Sequence, residues 1–202
     1  FYFTKTVSDK NPLIADPLKL SDCSLVSDGA AALVITKTEN VDKFDKAVEI
    51  LTLKSCSDYL SIVEGKRSNY ELTAVKEALK QAYAATGLTK DDIDVAEVHD
   101  CFTITELLIY EALGLAPDGK GREALMNKDV YVGGKLPINP SGGLKAKGHP
   151  VGATGVSMHV LIARQLLGDA IGLQVEGAET GMVINIGGSG ATNVVSILKK
   201  LK

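Results

Sequence analysis

A chain of 202 residues, 45% hydrophobic and 23% charged, has enough apolar mass for one large or two small cores, which excludes global disorder. Its 25 acidic and 22 basic residues are interspersed and leave a net charge of -3, so no broad basic face is available to nucleic acid. Three widely spaced cysteines without a secretory leader argue against a disulfide framework, and no apolar run reaches the roughly 20 residues of a membrane span.

The chain opens on Phe1-Tyr2-Phe3, an apolar cluster that reads as the interior of something longer. After the turn Ser27-Asp28-Gly29, the run Ala30 to Ile35 predicts a buried strand. The charged interval from Lys37 to Lys46 is the candidate domain boundary, and Ala47 to Leu53 predicts a further buried strand. Val75, Ala78, Leu79, Ala82 and Tyr83 share one helical face, so residues 71–86 predict a helix that stops at Gly87. Thr89 is a predicted N-cap for a short turn at Lys90 to Ile93, and Val95 to Val98 predicts a strand running into His99. Phe102 to Leu113 reads as a helix stopped by Gly114, and Val151 to Leu167 as another ending near Gly168. Met182 to Ile186 and Val194 to Leu198 predict a strand pair joined by glycines, and Ala30 to Ile35 and Met182 to Ile186 could be related halves of a duplicated architecture. The closing Lys199, Lys200 and Lys202 read as a solvated tail. Strands alternating with helices imply a layered α/β fold.

Three segments carry chemistry. In the first, Asn139 to Gly155, five of seventeen residues are glycine, which lets backbone approach a ligand closely; His149 sits on this loop just before a helix. A helix N-terminus disfavours the imidazolium and keeps a neutral ring able to accept a proton, although a loop histidine can equally be incidental. The second, His99-Asp100-Cys101-Phe102, follows a strand, so the i, i+2 spacing puts His99 and Cys101 on one side and Asp100 on the other. Its residues offer an acid/base or nucleophile, or else an inert buried thiol with a satisfied histidine. Three scattered cysteines and three histidines give no zinc-ligand spacing. The third, Asn185-Ile186-Gly187-Gly188-Ser189-Gly190, offers amides for half an oxyanion hole, or simply a tight hairpin, and matches no dinucleotide or Walker fingerprint.

In this order and spacing the three segments resemble the C-terminal half of thiolases. The His99-Asp100-Cys101-Phe102 form resembles the sterol-carrier-protein type, in which an asparagine, here Asn185, replaces the cysteine of the last glycine motif. The resemblance implies an α/β chain holding half of a layered αβαβα architecture. Residues 1–42 would be the tail of the N-terminal thiolase domain and 43–202 the C-terminal domain. It implies an acyl-CoA C-acyltransferase working on 3-ketoacyl-CoA and acyl-CoA thioesters by Claisen chemistry, with coenzyme A thioester as substrate and no tightly bound cofactor. His149 would activate the nucleophilic cysteine and bind the thioester oxygen, His99 would support that oxyanion site, Cys101 would be the acid/base, and the Gly187 amide would serve a second oxyanion hole.

The family's nucleophile lies on a loop of the N-terminal domain, and neither Cys23 nor Cys56 sits in that context. The chain by itself is therefore expected to be inactive. Implied partners are acyl-CoA, the chain's own N-terminal domain and further copies in a homodimer or homotetramer, with no nucleic acid and no membrane span. Lys200-Leu201-Lys202 does not match the Ser-Lys-Leu peroxisomal address, so a cytoplasmic location is expected, with the peroxisome or mitochondrial matrix as alternatives. The rival readings are an aldolase-like lipid-transfer relative and a non-catalytic acyl-CoA or lipid-binding module.

Overall fold

The computed structural model describes residues 6–61, 68 and 70–202, so Phe1-Tyr2-Phe3 lies outside the described residues. A small antiparallel pair, β1 (Leu13–Ala15) and β2 (Leu18–Lys19), comes first, followed by a 3-10 turn at Leu20–Asp22. The charged interval holds a second 3-10 helix, Thr38–Lys43. The main body is β3 (Val48–Ser57), α1 (Thr73–Thr86), β4 (Val95–Val98), α2 (Thr103–Ala112), α3 (Arg122–Met126), α4 (Gly143–Lys147), α5 (Thr154–Leu166), β5 (Thr180–Gly187) and β6 (Thr192–Lys200).

The sheet order is β3-β6-β5-β4, with β4 and β5 parallel and the other neighbours antiparallel. Alternate residues along each strand point to opposite faces, and that alternation builds three layers. Ala96, Val98, Met182, Ile184, Val195 and Ile197 pack with Val75, Ala78, Leu79 and Ala82 of α1 and with Ile109 of α2. Val95, Val183 and Leu198 pack on the other side against Met158, Ile162 and Leu166 of α5. Strands sandwiched this way read as continuous apolar runs, which is why β4 and most of β5 are buried at every position.

The helix stops fall where glycine relieves a left-handed backbone: Gly87 (φ 72) caps α1, and Gly114 and Gly168 (both φ 70) follow α2 and α5. Thr89 accepts a bond from the Asp91 amide and caps a 3-10 turn, as its position predicts. Helix α5 begins at Thr154 rather than Val151, because a turn from Pro150 comes first: its carbonyl accepts from the amides of Ala153 and Thr154.

Three expectations fail. The strand expected over Ala47 to Leu53 forms as β3 but is not buried: it lies at the edge of the sheet, with Leu53 55% exposed. Ala30 to Ile35 forms no strand; Val34 is 94% and Ile35 73% exposed. Apolar, branched residues suit a pleat, but a strand also needs a neighbour's ladder, and this run pairs with none of the described strands. The suggested duplication loses one of its two strands with it. Lys199 and Lys200 are no tail but lie in β6, paired with Glu49 and Val48 of β3, and Lys200 makes a 3.5 Å ion pair with Glu179.

Candidate active site

Strand β4 delivers His99 to the carboxyl end of the sheet, where the His99 amide bonds the Ile184 carbonyl at 3.0 Å. Its ring is buried, with Nδ1 2.9 Å from Asn185 Oδ1. Burial holds His99 down at about 4, with the neighbouring His149 and Lys147 acting in the same direction, so the ring is neutral near pH 7. Cys101 is two residues on and half-buried, and burial pushes its thiol up despite hydrogen bonds from Thr105 and the Phe102 amide. His99 and Cys101 line one cleft.

Asp100 turns the other way. Its carboxylate accepts from the amides of Leu144 (2.7 Å) and Lys145 (3.4 Å) at the start of α4. Gly143 has φ +65, and a Cβ there would stand 2.3 Å from Asp100 Oδ2, so both conformation and space require glycine.

The glycine loop carries His149 to the same cleft. The rings of His99 and His149 meet edge to face, with centroids 4.9 Å apart. His149 Nδ1 lies 2.8 Å from Thr154 Oγ1, which leaves Nε2 as the nitrogen available to the cleft. Burial is the main force holding His149 below its ordinary value, and the Lys147 ammonium adds to it. This direction is the one expected of the position, with burial and a nearby cation as its causes.

The Asn185 to Gly190 segment is both a hairpin and a cleft wall. Gly187 pairs with Thr192, the turn runs through Gly188, Ser189 and Gly190 at positive φ, and Asn185, Gly187 and Gly188 line the cleft.

Two parts of this site have no motif in the sequence. The first is the stretch Cys23 to Val26, which threads between the two histidine segments. Cys23 bridges Phe102 and Val26 bridges His149; the Ser24 amide bonds the Cys101 carbonyl at 2.7 Å, and the His149 amide bonds the Leu25 carbonyl at 3.0 Å. The Lys145 ammonium adds a bond to the Cys23 carbonyl.

The second is a buried polar clamp beneath the loop. Glu97 accepts from the Ser141 hydroxyl (2.7 Å) and amide (3.3 Å), while Glu106 accepts from Asn139 Nδ2 (3.0 Å). Asn139 Oδ1 in turn accepts from the Val98 amide at 2.8 Å. Burial raises Glu97 and Glu106 to about 7 each. With Asp100, three carboxyls hold the loop that presents His149: Glu97 of β4 and Asp100 at its end are buried, and Glu106 of α2 is half-buried. Only the apolar run around Glu97 hinted at this, since a charged residue inside a buried strand needs a partner.

The cleft measures about 670 Å³. Its apolar wall comes from Leu72, Phe102, Ile104, Leu108, Val151 and Ile186, and Asp58 and Glu71 add carboxyls. Such a space can seat an apolar group against the wall and a polar centre against the histidines. Of the three cysteines only Cys101 lines it. Among the described residues no cluster of three or more His, Cys, Asp or Glu is placed to hold a metal ion, and no helix is long and apolar enough to cross a membrane.

Residues 58–200 match the family described as thiolase C-terminal domain-like. The chain is 41% identical over 189 residues to an acetyl-CoA acetyltransferase of Methanothermobacter thermautotrophicus, covering 93% of this chain and 49% of that one. It is 42% identical over 205 residues to sterol carrier protein 2 of Oryctolagus cuniculus, covering 98% of this chain and 37% of that one. The chain thus spans half or less of the length of these curated relatives. Among solved structures it is similar in fold to an Ltp2-ChsH2(DUF35) aldolase, with a TM-score of 0.78 and 22% identity over 96% of this chain and 50% of that one. The family match covers most of the chain, including three of the four sheet strands, β4, β5 and β6, and all three motif segments, and on that ground the chain belongs to the thiolase family.

Proposed function

We propose that the chain supplies the acid/base and oxyanion half of an acyl-CoA C-acyltransferase site, acting on 3-ketoacyl-CoA and acyl-CoA thioesters. One observation carries the reading: His99, Cys101, His149 and Gly187, far apart in sequence, converge on one cleft with an apolar wall. His149 Nε2 takes the proton of a cysteine thiol, and the thiolate attacks the thioester carbonyl. Cys101 removes and returns the proton at the α-carbon of the acyl group. A thiol held above its ordinary value by burial is a poor nucleophile and a competent proton donor, which suits Cys101 to that second task.

The Gly187 amide, with His99 and His149, stabilises the oxyanions. The acylated cysteine belongs to the remainder of the family's length, residues 1–42 being the tail of that N-terminal domain and 43–202 the C-terminal one. The active species is an assembly of two or four copies. In a protein holding both domains, His149→Ala should lower thiolysis of acetoacetyl-CoA by roughly 10² to 10⁴. Thiolysis by residues 1–202 alone at the rate of such a protein would overturn the reading.

A second reading is favoured by the aldolase neighbour and by Cys101 being the one cysteine in the cleft. In it the two histidines serve carbon-carbon cleavage of a β-hydroxyacyl-CoA without an acyl-enzyme. Intact-mass detection of an acylated cysteine separates the two.

A further inference from the structure

We propose that Thr154 is a positioning residue that fixes the tautomer of His149, placing the proton on Nδ1 and leaving Nε2 bare toward the cleft. The proposal rests on the role of His149 as base given above.

Thr154 is 1% exposed and sits at the first position of α5. Its hydroxyl has two neighbours: the Pro150 carbonyl at 3.1 Å, four residues back, and His149 Nδ1 at 2.8 Å. A carbonyl can only accept, and a hydroxyl has one proton. With that proton given to Pro150, the lone pairs of Oγ1 face Nδ1, and the bond is satisfied when the ring carries its hydrogen on Nδ1. Nε2 then has a lone pair and no hydrogen.

The consequence for proton transfer is direct. When a thiol S–H bond breaks, its proton forms the N–H bond at Nε2, and the product is an imidazolium beside a thiolate. Nδ1 keeps its hydrogen and its bond to Thr154 throughout, so no reorganisation accompanies the step. A hydroxyl does this without adding charge. A carboxylate at position 154 would also hold Nδ1–H but would stabilise the imidazolium and raise the basicity of the ring. The neutral partner matches a ring already kept neutral by burial and by the Lys147 cation.

The test is long-range proton–nitrogen NMR at pH 7.5 on a histidine-labelled protein carrying both thiolase domains, with His149 assigned through His149→Asn. The account requires a protonated Nδ1 and a bare Nε2 for His149 in the wild-type protein. Thr154→Val keeps the shape and removes the acceptor, and should move the ring to the Nε2–H form and lower kcat by roughly 10- to 100-fold with little change in KM. Thr154→Ser restores the hydroxyl and should restore both readouts. A wild-type His149 already in the Nε2–H form overturns the proposal without recourse to any variant, and so does an unchanged tautomer in a folded Thr154→Val protein. The tautomer is read without turnover, so a protein with the expected tautomer and no acyl transfer would sink the function reading alone.

Discussion

Two stretches of this chain look alike in composition and end in opposite environments. Ala30 to Ile35 and Val95 to Val98 are both short and dominated by apolar residues. Val95 to Val98 is fully buried between β5, α5 and the α1–α2 layer, while Val34 and Ile35 stand 94% and 73% exposed. The difference is not hydrophobicity. Strand β4 has β5 on one edge and the chain around Ile138 bridging on the other, whereas Ala30 to Ile35 pairs with no described strand. An apolar run reports what its side chains tolerate; a ladder partner decides whether it becomes a strand.

That comparison can be broken or sharpened by substitution. The largest effect belongs to the buried sheet: Ile184→Ala, at 0% exposure, should cost about 2–5 kcal/mol by chemical denaturation. A smaller loss belongs to the polar residues that the buried stretch presents. Asp100→Ala would strand the Leu144 and Lys145 amides and should cost about 1.5–3 kcal/mol. Gly143→Ala should cost about 1–3 kcal/mol, because its positive φ and the Asp100 carboxylate leave no room for a methyl group.

The carboxyl clamp adds a pH signature. Glu106 titrates near 7 when folded and near its ordinary value when unfolded, so the native state binds more protons across that window. The stability of the wild-type protein relative to Glu106→Gln should therefore fall as pH rises from about 4.5 to 7, by an amount on the order of 2–3 kcal/mol. His99 works in the opposite sense: its folded value is depressed to about 4, so its contribution is present above its unfolded value and is lost as pH falls toward 4. The smallest effect is Val34→Ala, which should change stability by no more than about 0.5 kcal/mol. A loss of about 2 kcal/mol at Val34 would mean that the run is buried after all, and the comparison would collapse.

The same contrast explains what the sequence made legible. Helix ends at Gly87, Gly114 and Gly168 were readable because a left-handed backbone leaves a local mark in residue type. The split between His99 with Cys101 and Asp100 was readable because strand alternation is local too. Each motif could also be placed on its loop from neighbouring glycines and strands.

What was not legible is relational. Nothing in Cys23 to Val26 says that these residues will bracket Phe102 and His149. Nothing in Ser141 or Asn139 names Glu97 and Glu106 as partners some 30 to 45 residues away. The neutral state of His149 was anticipated from a helix N-terminus, yet burial and Lys147 supply its leading causes. Distance along the chain hides the first two, and the third depends on burial that only the folded cleft creates.

The central claim is that His149 and Cys101 share one cleft but serve two different steps. Incubating a two-domain protein with acetyl-CoA and recording intact mass separates those steps. The account predicts an acetyl adduct in the wild-type protein and in Cys101→Ser, with turnover lost in the latter, and no adduct in His149→Asn. A His149→Asn protein that acetylates as fast as the wild type, or a Cys101→Ser protein that turns over normally, would contradict it.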